Sequence, residues 1–211
     1  MAHYKHRMDY MEPLLESPRI DSGKDKVLEN IAGRKFLPLV CVLPLLTVAA
    51  CSSDLGVKSS TTQPTTTAST PTSQERQLAN YVFGLINHDR AAKGLSPYAW
   101  SNALAGGAHL HNLRMVVYGQ LSHQIPGEPD LATRISNDGI QWSAVGENIG
   151  QASYPDPQQG LLAIHQGMMA EQPPNDGHRQ NILSTSFKLV GIDVLLDSKN
   201  QVWLTEDFAR T

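Results

Sequence analysis

Residues 36–50 read Phe36-Leu37-Pro38-Leu39-Val40-Cys41-Val42-Leu43-Pro44-Leu45-Leu46-Thr47-Val48-Ala49-Ala50, a run without a single charge. Such a run must leave water. It is short of the roughly 20 residues that a helix needs to cross a bilayer, and Pro38 and Pro44 interrupt it. Arg34 and Lys35 precede it and small residues end it. A basic flank, a short apolar core and a small-residue end describe a signal peptide. Residues 1–50 are therefore expected to be a leader with an extended basic region, with Met8 and Met11 as alternative starts.

From Ser52 to about Gln74 the chain is rich in Ser, Thr and Pro, as in Ser59-Ser60-Thr61-Thr62-Gln63-Pro64-Thr65-Thr66-Thr67. No apolar period runs through it, so it buries too little surface to offset chain ordering. Residues 51–74 are expected to be a tether. Val48-Ala49-Ala50-Cys51 resembles the lipobox of bacterial lipoproteins. That resemblance implies that Cys51 is lipidated and becomes the mature N-terminus, and that the membrane is a partner through the lipid. The location expected is the cell envelope, outside the cytoplasm; the alternative is a secreted protein. The chain's two cysteines are Cys41 and Cys51. With Cys41 in the leader and Cys51 lipidated, the folded domain must be stabilised by its core rather than by disulfides.

Folding is thereby confined to residues 75–211, enough for one independent core. This stretch carries nine Lys+Arg against thirteen Asp+Glu, and the whole chain has a net charge of −3. Neither balance supplies the basic face that nucleic acid requires, so no nucleic-acid partner is expected.

Leu78, Tyr81, Val82, Leu85 and Ile86 follow the period of an amphipathic helix, with Ser73 as the expected cap and Gly94 as the stop. A second helix is expected over Asn102–Tyr118, capped by Ser101, with Leu104, Ala108, His111 and Met115 on one face. A short one is expected near 131–136. Another should cover 158–170, with Pro157 in its first turn and Pro173-Pro174 beyond its end. Residues 189–196 and 201–205 read as strands joined by a turn at 197–200. Helices followed by a terminal hairpin predict an α+β fold.

Asn87-His88-Asp89-Arg90, Trp100, Leu121-Ser122-His123, Gly146-Glu147-Asn148-Ile149, Gly177-His178-Arg179-Gln180-Asn181-Ile182-Leu183 and Phe208 occur in this order. Together they resemble the CAP superfamily of cysteine-rich secretory proteins, antigen 5 and pathogenesis-related proteins, also called SCP-like, in its bacterial disulfide-free branch. The resemblance covers about 77–208. It implies a three-layer α-β-α sandwich and a central cleft with two His and two Glu. Carried onto this sequence, these fall on His123, Glu147, His178 and Glu171; Met168 stands where animal members have Trp.

Two imidazoles and two carboxylates suit a divalent cation such as Zn²⁺, or a hydrogen-bonded network that shares protons. Each residue also has a structural reading. Glu147 would bond backbone N–H groups in a turn at Gly146, and His178 would orient the Arg179 segment. Asn148 and Asn181 read as turn and cap residues. His109 and His111, two apart on one helix, should face different sides. His111 should point to the core, and His88 and His165 to the surface.

There is no His-Glu-x-x-His, Gly-x-Ser-x-Gly or phosphate loop. Ser122 adjoins His123, but adjacency does not make a nucleophile–base pair. The expected function is a surface-anchored module binding a ligand or divalent metal. The alternatives are a metal-dependent hydrolase acting on peptide or cell-wall material, or a lipid or sterol carrier; the ligand would be a small hydrophobic molecule or a peptide.

Overall fold

The computed structural model describes residues 69–211, together with the backbone of Arg19–Ile20 and Leu28–Glu29. Cys51, the apolar run and most of the tether lie outside the described residues. Helix α1, Ser73–Ala92, opens with a reciprocal cap. The Thr72 hydroxyl accepts from Glu75 N at 3.2 Å, and the Glu75 carboxylate accepts from Thr72 N at 2.7 Å. The expected cap, Ser73, is instead the first helical residue, because only Thr72 lies three residues before an acid that can return the bond. Leu78, Val82 and Ile86 are buried as their spacing requires. The helix ends before Gly94, which takes φ +70°.

The loop after α1 is fixed by residues of the Asn87–Arg90 motif. The Asn87 Oδ1 accepts from Tyr98 N at 2.8 Å. The Arg90 guanidinium lies 3.5 Å above the Tyr98 ring and donates to the carbonyls of Ser96, Ile182 and Ser184. A buried cation is thus satisfied by three carbonyls and an aromatic face.

Strand β3, Ala99–Trp100, leads into α2, Asn102–Tyr118, which is capped by Ser101 and ended by Gly119 at φ 60°. Next come α3, Leu131–Asn137, and β4, Ala144–Ala152. Helix α4, Pro157–Ala170, begins on its proline, and α5 spans Gly177–Leu183. Strands β5, Leu189–Leu196, and β6, Val202–Arg210, form the expected hairpin, with β6 running five residues past the end of its expected apolar stretch.

The main sheet runs β4-β6-β5-β3. Both β4–β6 and β5–β6 are antiparallel, whereas β3 pairs parallel to β5 at Leu189 and Val190 only. On the outer side of β4, Arg19–Ile20 (β1) and Leu28–Glu29 (β2) pair antiparallel with Gly150–Gln151 and Ala144–Val145. Helices α1, α4 and α5 cover one face of the sheet, and α2 and α3 cover the other. The chain is therefore an α+β three-layer α-β-α sandwich.

Alternation along the strands sorts the core. Val190, Ile192, Val194, Leu204 and Phe208 pack under α1 and α4, with Phe187 stacked on Phe208. Val145 and Ala209 pack under Leu104 and Ile135, and Ile149 and Trp203 under Met115. Gly191 lets α2 approach: a Cβ there would fall inside contact distance of the Leu104 and Ala105 backbone.

Candidate functional site

Residue Glu147 lies in the middle of β4, not at a turn, and its register partner on β6 is Asp207. The sheet alternation turns both onto the α2/α3 face. Glu147 is 2% exposed and Asp207 1%. Burying two adjacent carboxylates without compensation is unfavourable. The sequence supplies the compensation from three separate elements.

His123, in the loop that follows α2, donates from Nδ1 to Glu147 Oε1 at 2.8 Å. Arg134, on α3, donates from Nη2 to Glu147 Oε2 at 2.6 Å. His111, on α2, holds its Nε2 3.8 Å from the same oxygen while its Nδ1 donates to Glu128 Oε2 at 2.9 Å. Arg134 Nε also lies 3.9 Å from Glu128 Oε1.

Burial pushes the Glu147 carboxyl up, but the charges of His111 and Arg134 and the His123 bond outweigh it, leaving it well below the usual carboxylate range. Asp207 goes the other way: burial and the neighbouring Glu147 raise it well above the usual range against the pull of Arg134. Side by side in the sheet, the two acids hold a proton unequally, Glu147 ionising first. Asp138, behind α3, is pushed up to about 6 by burial, with Arg134 opposing.

The second half of the site is built at α5. Glu171, the residue that ends α4, accepts from the backbone N of His178 at 3.1 Å and of Arg179 at 3.3 Å. It also accepts from His178 Nδ1 at 2.5 Å. Asp176, in the cap position of α5, makes no capping bond; Glu171 satisfies those amides in its place.

Asn148 donates to the His178 carbonyl at 3.2 Å and to Glu206 at 2.9 Å. Asn181 donates to Asn148 Oδ1 at 2.9 Å and to the Glu147 carbonyl at 3.4 Å. Both asparagines are therefore buried brackets between β4 and α5, not the turn and cap residues expected. They lie inside regular elements whose side chains need partners.

The four residues His123, Glu147, Glu171 and His178 thus form two His–carboxylate pairs, one at Glu147 and one at α5, joined through Asn148 and Asn181. Among the described residues no group of three or more His, Cys, Asp or Glu is placed to hold a metal ion. The Arg134 guanidinium occupies one Glu147 oxygen, and each His Nδ1 donates to a carboxylate, which fixes the tautomer and orientation of both rings.

Ser122 Oγ donates to the Gln124 carbonyl and accepts from Gln124 N, so its hydroxyl is engaged away from His123. His111 is buried as expected, but as a polar member of the Glu147 network. His88 is exposed. His165, expected at the surface, is 3% exposed and donates to Asp89 at 2.9 Å, because α4 packs that face against α1.

Arg134, Glu128 and Asp207 were not singled out from the sequence. The buried Arg134 lies in a seven-residue helix too short to show a clear period. Asp207 sits in a strand beside a second acid, Glu206, which reads as a solvated end.

The comparisons agree with this architecture. A model of the cysteine-rich secretory protein family, CAP, matches residues 83–208. No curated protein matches. The solved structure of an extracellular protein containing a SCP domain from Bacillus anthracis is similar, with 27% identity over 68% of this chain and 45% of that one, at a TM-score of 0.53. This chain thus spans less than half the length of that protein. A cysteine-rich secretory protein from Staphylococcus aureus matches with 20% identity over 67% of this chain and 40% of its own, at a TM-score of 0.52. An outer surface protein from Borrelia burgdorferi matches with 13% identity over 64% and 93%, at 0.56. At those two identities the likeness shows the fold alone. The match to more than half of its residues, on the sandwich described above, means that the chain belongs to the CAP family of cysteine-rich secretory proteins.

Proposed function

We propose that this chain is a membrane-anchored, extracytoplasmic ligand-binding module whose cleft recognises its ligand through hydrogen bonds and not through a metal. The observation that carries the reading is the charge balance at Glu147, a buried carboxylate held ionised between His123 and Arg134. His123 has about a quarter of its side chain exposed, whereas the Glu147 and Arg134 side chains are buried behind it. A peptide or small polar ligand entering there meets an imidazole whose orientation is fixed by its carboxylate. Preorganised polar groups of this kind give specificity at low ordering cost.

Anchoring rests on the lipobox-like Val48–Cys51 stretch and the Ser/Thr/Pro tether. The extracytoplasmic placement is supported by the described location of the Bacillus anthracis relative. Ser122, engaged by Gln124, is not poised as a nucleophile.

Calorimetry with Zn²⁺ on wild type, His123→Ala and His178→Ala tests the metal-free reading. Weak titrations that are alike in all three proteins are expected. Tight binding by wild type, lost in both variants and weakened as imidazole protonates below about pH 6.5, would restore the metal reading. Affinity selection from a peptide and small-molecule mixture then tests recognition: Glu147→Gln should lose the ligands that wild type retains, and equal retention counts against the cleft.

A further inference from the structure

A cavity of about 380 Å³ lies between the start of α1, the first half of α2 and the outer edge of β5; none of His123, Glu147, Glu171 and His178 lines it. Its volume falls within the range of about 300–1,000 Å³ typical of small-molecule sites. It forms because β3 covers only the first two residues of β5, leaving α1 and α2 to overhang the rest of that edge. Trp100, Ala79, Ala105 and Ile192 supply apolar walls.

The acids in the lining are already satisfied. Glu75 accepts from Thr72 N and, at 3.0 Å, from Leu196 N. Asp193 accepts from His109 Nδ1 at 3.1 Å and Asn112 Nδ2 at 2.8 Å. His109 places its Nε2 2.5 Å from the Ser69 carbonyl. Both partners of this ring are acceptors, so the doubly protonated imidazolium is the form that satisfies both.

The polar groups left for a ligand are mainly donors. Arg76 donates one N–H to the Pro71 carbonyl, and no carboxylate among the described residues pairs with it. Asn102 accepts from the Trp100 indole N–H at 2.8 Å, which fixes its amide and leaves the NH₂ free to donate. Asn80, also in the lining, can turn either end of its amide inward. Donors and one unpaired cation around an apolar slot are complementary to an anion with a hydrophobic body.

We propose that this cavity binds a small organic anion with a flat apolar body, its carboxylate at Arg76 and Asn102 and its ring against Trp100, Ala79 and Ala105. The site is independent of the Glu147 cleft.

Isothermal titration of the purified protein with naphthalene-2-carboxylate and with naphthalene-2-carboxamide tests it. The carboxylate should bind saturably at one site, and the carboxamide at least about tenfold more weakly. Arg76→Gln should weaken the carboxylate by a similar factor and erase the difference between the probes. Gly106→Leu should abolish binding of both. A side chain at Gly106 enters open space, so it fills the cavity without displacing the protein, and leucine favours the helix over glycine; an unchanged melting temperature checks this. His123→Ala should bind the carboxylate like wild type. Equal affinity for the two probes, wild-type binding by both Arg76→Gln and Gly106→Leu, loss of binding in His123→Ala, or no saturable binding at millimolar probe would each overturn the proposal.

Discussion

Replacing Glu206 by Gln should leave the protein's stability nearly unchanged in mild acid and raise it above neutrality. Glu206 is fully buried on the α1/α4/α5 face of β6. One of its oxygens accepts from Asn148 at 2.9 Å, and the other has no hydrogen-bond partner among the described residues. Burial raises this carboxyl from 4.5 to about 7, with the Asn148 bond opposing only in part.

An acid whose folded pKa is raised keeps its proton longer in the folded than in the unfolded chain. Stability linked to it therefore falls as pH rises from about 4.5 to about 7 and levels off above that. At about 1.4 kcal/mol per tenfold change, that interval corresponds to roughly 3 kcal/mol, of which about 2–3 kcal/mol lies between pH 5 and pH 8. Gln has nearly the same shape, keeps an oxygen to accept from Asn148 and does not titrate. Urea denaturation of wild type and Glu206→Gln at pH 5, 6, 7 and 8 reads the difference, provided the slope with denaturant stays equal. The variant should gain about 2–3 kcal/mol on wild type across this range. Parallel pH profiles for the two proteins would refute the reasoning, because Glu206 would then titrate alike in the folded and unfolded chains.

Gly191→Ala should destabilise the fold by several kcal/mol, on the order of 3 or more, because the added methyl meets the α2 backbone at Leu104 and Ala105 and not a side chain that can move; thermal unfolding reads it. Arg134→Ala should lose about 3 kcal/mol or more by taking the guanidinium from the buried Glu147 carboxylate and leaving it to its histidines, a loss visible in the same melts. His109 is raised by its bond to Asp193, against burial; its contribution is full below about pH 6.5 and is lost as pH rises through its higher folded value. His109→Gln should accordingly be less stable than wild type at pH 5.5, by a margin that shrinks at pH 9 in denaturant titrations. Cys51→Ala should leave the precursor unprocessed or release the protein from the membrane fraction, as immunoblotting of fractions would show; membrane retention of the variant at its mature size would oppose the lipid anchor.

Elements in which local chemistry is strong were legible from the chain alone. Leu78, Val82 and Ile86 repeat at helical spacing, Pro157 starts α4, and 197–200 turns the final hairpin. These signals act within a few residues, so one-dimensional reading reaches them. Strand β4 was not legible as a strand. It is buried along its whole length and carries Gly146, Asn148 and Gly150, so neither alternation nor propensity marks it.

The site residues His123, Glu147, Glu171 and His178 came from a resemblance in their order along the chain, whereas their partners became visible in three dimensions alone. Sheet register sets Asp207 beside Glu147, and α3 delivers Arg134 to the same carboxylate. That cation balances the charge of the carboxylate at the centre of the set. His165 and Asn148 were misplaced for the same reason: their burial depends on which helix packs over them, α1 in one case and α5 in the other. Charge compensation in a core acts through space, between Glu147 and residues that are 13 to 36 positions away here. Spacing along the chain does not encode which of them will meet.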